Sequence, residues 1–356
     1  MNKIKIGDRT VGENEKPYFI ADIGANHDGD LNRALLLIEM AKEAGADAAK
    51  FQNFKADKIV SNKGFNQLGN QVSHQSNWKK SVVEVYDDAS ISYNWTKILK
   101  DKCDEVGIEY LTSPYDFESV DHVDPYLNVF KIGSGDITWI DIIEYIAKKG
   151  KPVLLATGAS NKEDVVRAMT KLSKVNKDIV LMQCNTNYTG SNENYKFVNL
   201  NVLKWFKKQF PNVILGLSDH THGHATVLGA IALGAMVIEK HFTDDNDREG
   251  PDHKFAMNPQ SWREMVDRSN ELYAALGDGV KRLEENEEQT VIVQRRGLRY
   301  SKNLKAGSII SKNDIIALRP FNINGFEPYE NEVIIGSKVL VDVEQDDIIL
   351  KNQFEL

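Results

Sequence analysis

The sequence predicts an α/β protein, a TIM (β/α)8 barrel followed by a small, mostly β domain. Three observations predict it. Eight short apolar runs alternate with helix-like segments over roughly 260 residues, which suits a closed barrel better than an open doubly wound sheet. Polar residues capable of chemistry stand just past the C-terminal ends of those runs, the edge where a parallel barrel gathers its loops. No glycine-rich dinucleotide fingerprint follows the first run.

The lead, residues 1–17, alternates charged and polar residues without an apolar h-region and reads as no signal peptide. Tyr18–Ile23 is a strand that stops at Gly24 and places Asp22, Asn26 and His27 at its end. Leu31–Ala44 has apolar residues at helical spacing and closes on Gly45, and Asp47–Phe51 is a second strand ending at Lys50 and Gln52. The stretch Lys55–Asp88 is polar and irregular, either a lid that contacts substrate or a solvated insertion. Helix Tyr93–Val106 leads to strand Glu109–Thr112 and Ser113-Pro114-Tyr115-Asp116. A short helix precedes strand Asn128–Ile132 and the turn Gly133-Ser134-Gly135-Asp136. Helix Ile140–Lys149, strand Pro152–Ala156, helix Lys162–Lys174 and strand Asp178–Gln183 follow, the last ending at Cys184-Asn185-Thr186-Asn187-Tyr188. Helix Val198–Phe210, strand Val213–Leu217, helix Ala225–Gly234 and strand Met236–Lys240 complete eight units, and helix Pro259–Leu276 closes the barrel. Glu284–Gln289 reads as a charged linker, and beyond Arg295 the runs are short and β-like. The expected organisation is a catalytic barrel over 1–280, a linker over 281–294 and a small domain over 295–356.

A chain of 356 residues can bury a large core without staples. Its net charge of −8 argues against a nucleic-acid surface, though a local basic pocket for an anionic metabolite is compatible with it. The two cysteines, Cys103 and Cys184, are far apart and form no disulfide framework, which fits a reducing compartment. No run approaches ~20 uninterrupted apolar residues, so no membrane span is expected and the protein reads as cytoplasmic.

The chemistry is expected around His220 and His241, each at the C-terminal end of a neighbouring strand. Two neutral imidazoles there suit a divalent metal of the Mn, Fe, Co or Zn type; the alternative is two unrelated histidines, one capping a helix. Lys50 and Lys131, with Ser134, Thr157 and Ser218 nearby, make a pocket for phosphate or carboxylate. Asp22, Asp219 and Asp252 are the candidate carboxylates. Asp219 precedes His220 directly, so its side chain faces the other side of an extended backbone, which suits orienting a loop rather than catalysis.

The set Ala21-Asp22-Ile23-Gly24-Ala25-Asn26-His27, Lys50-Phe51-Gln52, Lys131-Ile132-Gly133-Ser134-Gly135, Thr157-Gly158, Gly216-Leu217-Ser218-Asp219-His220-Thr221, Glu239-Lys240-His241-Phe242-Thr243 and Gly250-Pro251-Asp252-His253 resembles the sialic acid synthase family, which includes legionaminate and pseudaminate synthases. The tail, with Leu304-Lys305-Ala306-Gly307 and Arg319-Pro320, resembles the antifreeze-like (SAF) domain of those synthases. The resemblance implies a domain-swapped homodimer that condenses phosphoenolpyruvate with the open-chain aldehyde of an N-acylhexosamine. The products are a nine-carbon 2-keto-3-deoxy sugar acid and phosphate. N-acetylmannosamine is the default acceptor and a 2,4-diacetamido-trideoxyhexose the alternative. It also implies that His220 and His241 hold the metal, Mn2+ first and Mg2+ or Co2+ as alternatives, and that they act with Asp22 and Lys131 in catalysis. Lys50, Lys131, Ser134 and Ser218, with Thr157 beside them, match phosphoenolpyruvate-binding positions. Gln52, Asn187, Tyr188 and Asp252 fall at the amino-sugar end, and Arg319 matches the SAF arginine that reaches the N-acyl group across the dimer. Two positions depart from the family: Asp22 replaces a glutamate, and Thr186 stands where an asparagine contacts substrate. A binding protein that keeps the fold without catalysis is the alternative that Asp22 sustains.

Overall fold

The structure is a computed structural model that describes residues 2–71 and 73–354. It divides into two compact units, Met1–Gly277 and Asp278–Leu356.

The first unit opens with an antiparallel hairpin, β1 (Lys3–Ile6) and β2 (Arg9–Gly12). Eight barrel strands follow: β3 (Tyr18–Asp22), β4 (Ala48–Asn53), β5 (Glu109–Pro114), β6 (Phe130–Ile132), β7 (Val153–Ala156), β8 (Ile179–Cys184), β9 (Ile214–Asp219) and β10 (Ala235–His241). They lie in the spatial order β5-β4-β3-β10-β9-β8-β7-β6, every paired neighbour parallel, and β5 and β6 pack side by side to bring the two ends together. This is the predicted TIM barrel.

Helix α1 (Leu31–Glu43) starts where the Asp30 side chain accepts from the Asn32 amide. The excursion after β4, read from sequence as irregular, contains α2 (Ala56–Ile59), α3 (Asn62–Gln67), a 3-10 turn and α4 (Val82–Ala89). Then come α5 (Tyr93–Val106), which ends on the left-handed Gly107, α6 (Phe117–Val123), α7 (Ile140–Ala147), α8 (Lys162–Val175), α9 (Val202–Gln209), α10 (Ala225–Ala232) and α11 (Pro259–Leu276). A capping box at Asn258 with Pro259 in the first turn sets the start of α11. Among the described residues no helix is long and apolar enough to cross a membrane.

Strand alternation sorts the core into two bodies. Phe19, Phe51, Leu155, Leu181, Leu217 and Ile238 point out and pack under the helices. Tyr18, Ile20, Leu111, Leu154, Val180 and Val237 point in and pack with Ile4, Ile6 and Val11 of the hairpin. The N-terminal lead, read from sequence only as polar, is therefore a plug under the barrel. Its Lys-Ile-Lys-Ile alternation buries only every second residue, so it resembles a polar tail in composition.

In the second unit, a 3-10 turn Glu285–Glu287 runs into α12 (Glu288–Gln294), so the expected linker is helical in part and belongs to this unit. Strands β11 (Gly297–Tyr300) and β12 (Ile315–Leu318) pair antiparallel, and isolated bridges tie in later segments. Val333–Ile335, one of the short β-like runs beyond Arg295, falls instead around α13 (Asn331–Ile334). A separate small core gathers Leu298, Tyr300, Ile310, Phe326, Val339 and Ile349.

Candidate active site

The alternation that fills the barrel floor with apolar side chains continues upward into charged ones. Two residues on from Ile20 the inward position is Asp22; on from Ala48 it is Lys50 and then Gln52; on from Val129 it is Lys131; and on from Val237 it is Glu239 and then His241. Asp22, Lys50, Lys131, Ser218, Glu239, His220 and His241 are each 6% exposed or less, so these charges sit inside the barrel rather than on its rim.

They form two ion pairs. Lys50 Nζ donates to Asp22 Oδ2 at 2.6 Å, with Gln52 Nε2 at 3.4 Å from the same oxygen. Lys131 Nζ donates to Glu239 Oε1 at 2.7 Å, and Ser218 Oγ donates to that oxygen at 3.1 Å. Burial pushes the Glu239 carboxyl up, but Lys131 and Lys50 outweigh it and bring it to about 2. Burial pushes the Lys50 ammonium down, and Asp22 and Glu239 more than reverse that, leaving it raised. Glu239 and Lys50 are therefore both charged at neutral pH. Asp22 Oδ1, Glu239 Oε2 and His241 Nδ1 make no hydrogen bond among the described residues, so three polar atoms of one cluster keep capacity for a partner.

The imidazoles of His220 and His241 lie with ring centroids 5.4 Å apart. His220 Nδ1 donates to the Asn185 carbonyl at 2.8 Å, which leaves Nε2 as a lone pair. Burial, and then the neighbouring His241, hold the His220 pKa down at about 4, so the ring is neutral at neutral pH. His241 Nε2 is 3.6 Å from Asp22 Oδ2, and its Nδ1 is 3.6 Å from Asp252 Oδ2. Asp252 is fixed from below, accepting from the Ala25 amide at 3.2 Å. Gly24 makes that approach feasible: at φ +50 it is left-handed, and a Cβ there would stand 2.9 Å from Asp252 Oδ2 and 3.1 Å from His241 Nδ1. The neutral His220 imidazole beside the unpartnered His241 Nδ1 fits a divalent cation of the Mn type. Among the described residues no group of three or more His, Cys, Asp or Glu side chains is gathered for a metal, so such an ion would rest on the two histidines and keep open positions.

The remaining expected residues fall in different places. Tyr188 packs on His220 with centroids 4.3 Å apart, and Phe255 lies 5.1 Å from His241. Ser134 Oγ accepts from the Gly158 amide at 3.0 Å. Thr157 donates its hydroxyl proton to the Met182 carbonyl at 2.9 Å, so that proton is committed to the backbone. Asn187 Oδ1 accepts from the Thr189 amide and hydroxyl, a local turn. Thr157, Thr186 and Asn187 line a cavity of about 1010 Å3. Arg319, in the second unit just past β12, is exposed and makes no hydrogen bond or ion pair among the described residues. The 55–89 excursion reaches the site, its His74 ring lying 5.0 Å from Tyr188 and 5.5 Å from Trp78.

Sequence reasoning missed Glu239, although it precedes His241 by two and so must share its face. It also missed Ser113, buried on β5 with a hydroxyl that makes no hydrogen bond among the described residues.

Comparison with known proteins adds a name to this geometry. The model of the NeuB family matches residues 37–281, and that of the SAF domain matches residues 295–355. An N,N'-diacetyllegionaminic acid synthase of Campylobacter jejuni is 34% identical over 94% of this chain and 99% of its own. The human N-acetylneuraminate-9-phosphate synthase is 32% identical over 96% and 94%. The crystal structure of an N-acetylneuraminic acid synthetase from Leptospira borgpetersenii, in complex with citrate, superposes with a TM-score of 0.72 at 27% identity, over 82% of this chain and 95% of that one.

Proposed function

Since the chain belongs to the NeuB family and carries a C-terminal SAF domain, we propose that it condenses phosphoenolpyruvate with the open-chain aldehyde of an N-acylated hexosamine, releasing phosphate and a nine-carbon 2-keto-3-deoxy sugar acid. The observation that carries this reading is the buried pairing of Lys50 with Asp22 and Lys131 with Glu239 directly beside the two imidazoles of His220 and His241. Two ammonium groups inside a barrel suit a substrate bearing up to three negative charges, and the fixed hydroxyls of Ser134 and Ser218 orient it. A divalent cation held by His220 and His241 would supply Lewis-acid polarisation of the aldehyde oxygen.

The residues divide the work. Lys50 and Lys131 bind the phosphate and carboxylate of phosphoenolpyruvate by exchanging part of their contact with Asp22 and Glu239. C3 of phosphoenolpyruvate bonds to the aldehyde carbon, cationic character develops at C2, water adds there, and the tetrahedral adduct expels phosphate. Asp22 and Glu239, once loosened from their lysines, are the carboxylates positioned to hold the proton of that water. Tyr188, Gln52 and Asp252 bound the sugar, and Arg319 meets its N-acyl group from a partner subunit in a domain-swapped dimer.

The default acceptor is N-acetylmannosamine. A 2,4-diacetamido-trideoxyhexose is the second reading, supported by the 34% identity to a diacetyllegionaminate synthase. Asp22 supports it too: one methylene shorter than the family's glutamate, it draws the carboxylate back by about 1.5 Å. Phosphate release from phosphoenolpyruvate, measured with each sugar in turn and with or without Mn2+, tests the proposal. Phosphate with one amino sugar and not the other identifies the acceptor; no phosphate with any of them overturns the synthase reading and leaves the non-catalytic alternative.

A further inference from the structure

The two histidines stand at the ends of adjacent strands; within the cavity Tyr188 and Phe255 pack against both rings, but no hydrogen bond joins one imidazole to the other among the described residues. Their backbones are tied together on the opposite face of the sheet. Lys240, which precedes His241, lies directly across from Asp219, which precedes His220, in the β9–β10 register. Alternation turns both side chains away from the barrel interior and toward α10.

There they form a closed polar cluster. Lys240 Nζ donates to Asp219 Oδ2 at 2.5 Å and to the Thr221 carbonyl at 2.6 Å. Lys240 thus grips the residue on each side of His220. Asp219 completes its acceptors with the Thr221 amide at 3.2 Å, the Thr221 hydroxyl at 2.9 Å and the Thr226 hydroxyl at 2.7 Å, the last from the first turn of α10. None of Asp219, Lys240, Thr221 and Thr226 is more than 5% exposed, and the Asp219 carboxyl is held below its usual range by Lys240 against the upward push of burial.

Stability alone does not account for a buried ion pair here, because apolar residues of similar volume commonly do as well or better at such positions. What an ion pair adds is register. We propose that Asp219 and Lys240 are positioning residues that clamp His220 and His241 at the separation a divalent cation requires. The clamp acts on the metal site from outside the cavity and touches neither substrate nor ion. The cation-binding role of the histidines belongs to the functional reading above, and the test separates the two.

The full-length protein is prepared as wild type, Asp219→Leu/Lys240→Met, Thr226→Val and His241→Ala. Mn2+ affinity is measured by the electron paramagnetic resonance of the free ion, thermal midpoints are recorded, and metal-free crystals give the ring separation. The double variant is expected to bind Mn2+ roughly 10- to 100-fold more weakly, as loss of groups that orient metal ligands usually does. Its melting midpoint should stay within about 3 °C of wild type. Thr226→Val, which keeps the ion pair and removes one hydrogen bond to it, should weaken Mn2+ by roughly two- to fivefold and covers the case in which the double variant does not fold. The metal-free ring separation in the double variant should depart from 5.4 Å by more than about 0.5 Å. Wild-type Mn2+ affinity and an unchanged ring separation in a folded double variant, or unchanged affinity in Thr226→Val should the double variant not fold, overturn the clamp. Absence of Mn2+ binding in wild type, or its retention in His241→Ala, overturns the metal reading instead, and the ring separation then decides the clamp by itself.

Discussion

Among the described residues Lys131 and Glu239 are each the other's only counter-charge within hydrogen-bonding distance, and both are buried. Lys131→Met therefore leaves a carboxylate without its cation and should cost roughly 3–5 kcal/mol by urea denaturation. Lys131→Met/Glu239→Gln should recover most of that loss while turnover stays abolished, because stability needs only charge balance whereas the proposed phosphoenolpyruvate site needs the ammonium. The pH dependence of stability follows from two of the same groups. The unfolded chain protonates a histidine near the ordinary 6.5, but His220 resists until about 4, so its contribution is complete above 6.5, declines as pH falls to 4 and is flat below. Glu239, lowered to about 2 from 4.5, contributes fully above 4.5 and loses that contribution as pH falls to 2. Urea midpoints should thus drop in two stages, and His220→Asn should flatten the first. At this scale the charged cluster was partly legible. Lys50, Lys131 and the histidines stand out as strand-end residues, whereas Glu239 sits one layer deeper, where a carboxylate inside an apolar strand reads as an exposed side chain unless its parity with His241 is followed.

The hairpin of β1 and β2 separates stability from chemistry. Ile6 is 1% exposed and packs with Tyr18, Ile20 and Val237 on the barrel floor, at the end away from the histidines. Ile6→Ala should cost about 2–5 kcal/mol while kcat/KM stays at the wild-type value below the melting transition. The eight barrel strands and their helices were readable because each run ends at a cluster of polar residues and each helix repeats its apolar stripe. The hairpin was not, since half of Lys3–Ile6 is lysine. Neither were α2, α3 and α4, whose four to eight residues are too few for a helical period to emerge and which hold their shape through contacts such as Phe54 with Tyr86 and His74 with Tyr188.

For the whole molecule, each unit has its own core, so residues 1–277 alone should fold and retain phosphoenolpyruvate binding, measurable by calorimetry. In the full chain Arg319→Ala should raise the KM of the amino sugar with little change in that of phosphoenolpyruvate, and sedimentation should give twice the chain mass if the arginine comes from a partner. The plugged floor has a kinetic consequence. A barrel sealed at its base is a well with a single mouth, and along β9 and β10 Ser218, proposed to orient phosphoenolpyruvate, and Glu239, which holds Lys131, lie one layer beneath His220 and His241. A sugar seated across the upper layer would block the road to the lower one. Phosphoenolpyruvate must then enter before the sugar, in a compulsory order, and a sugar that arrives first is a dead end: excess sugar should inhibit competitively against phosphoenolpyruvate, and random-order patterns would show a second way in.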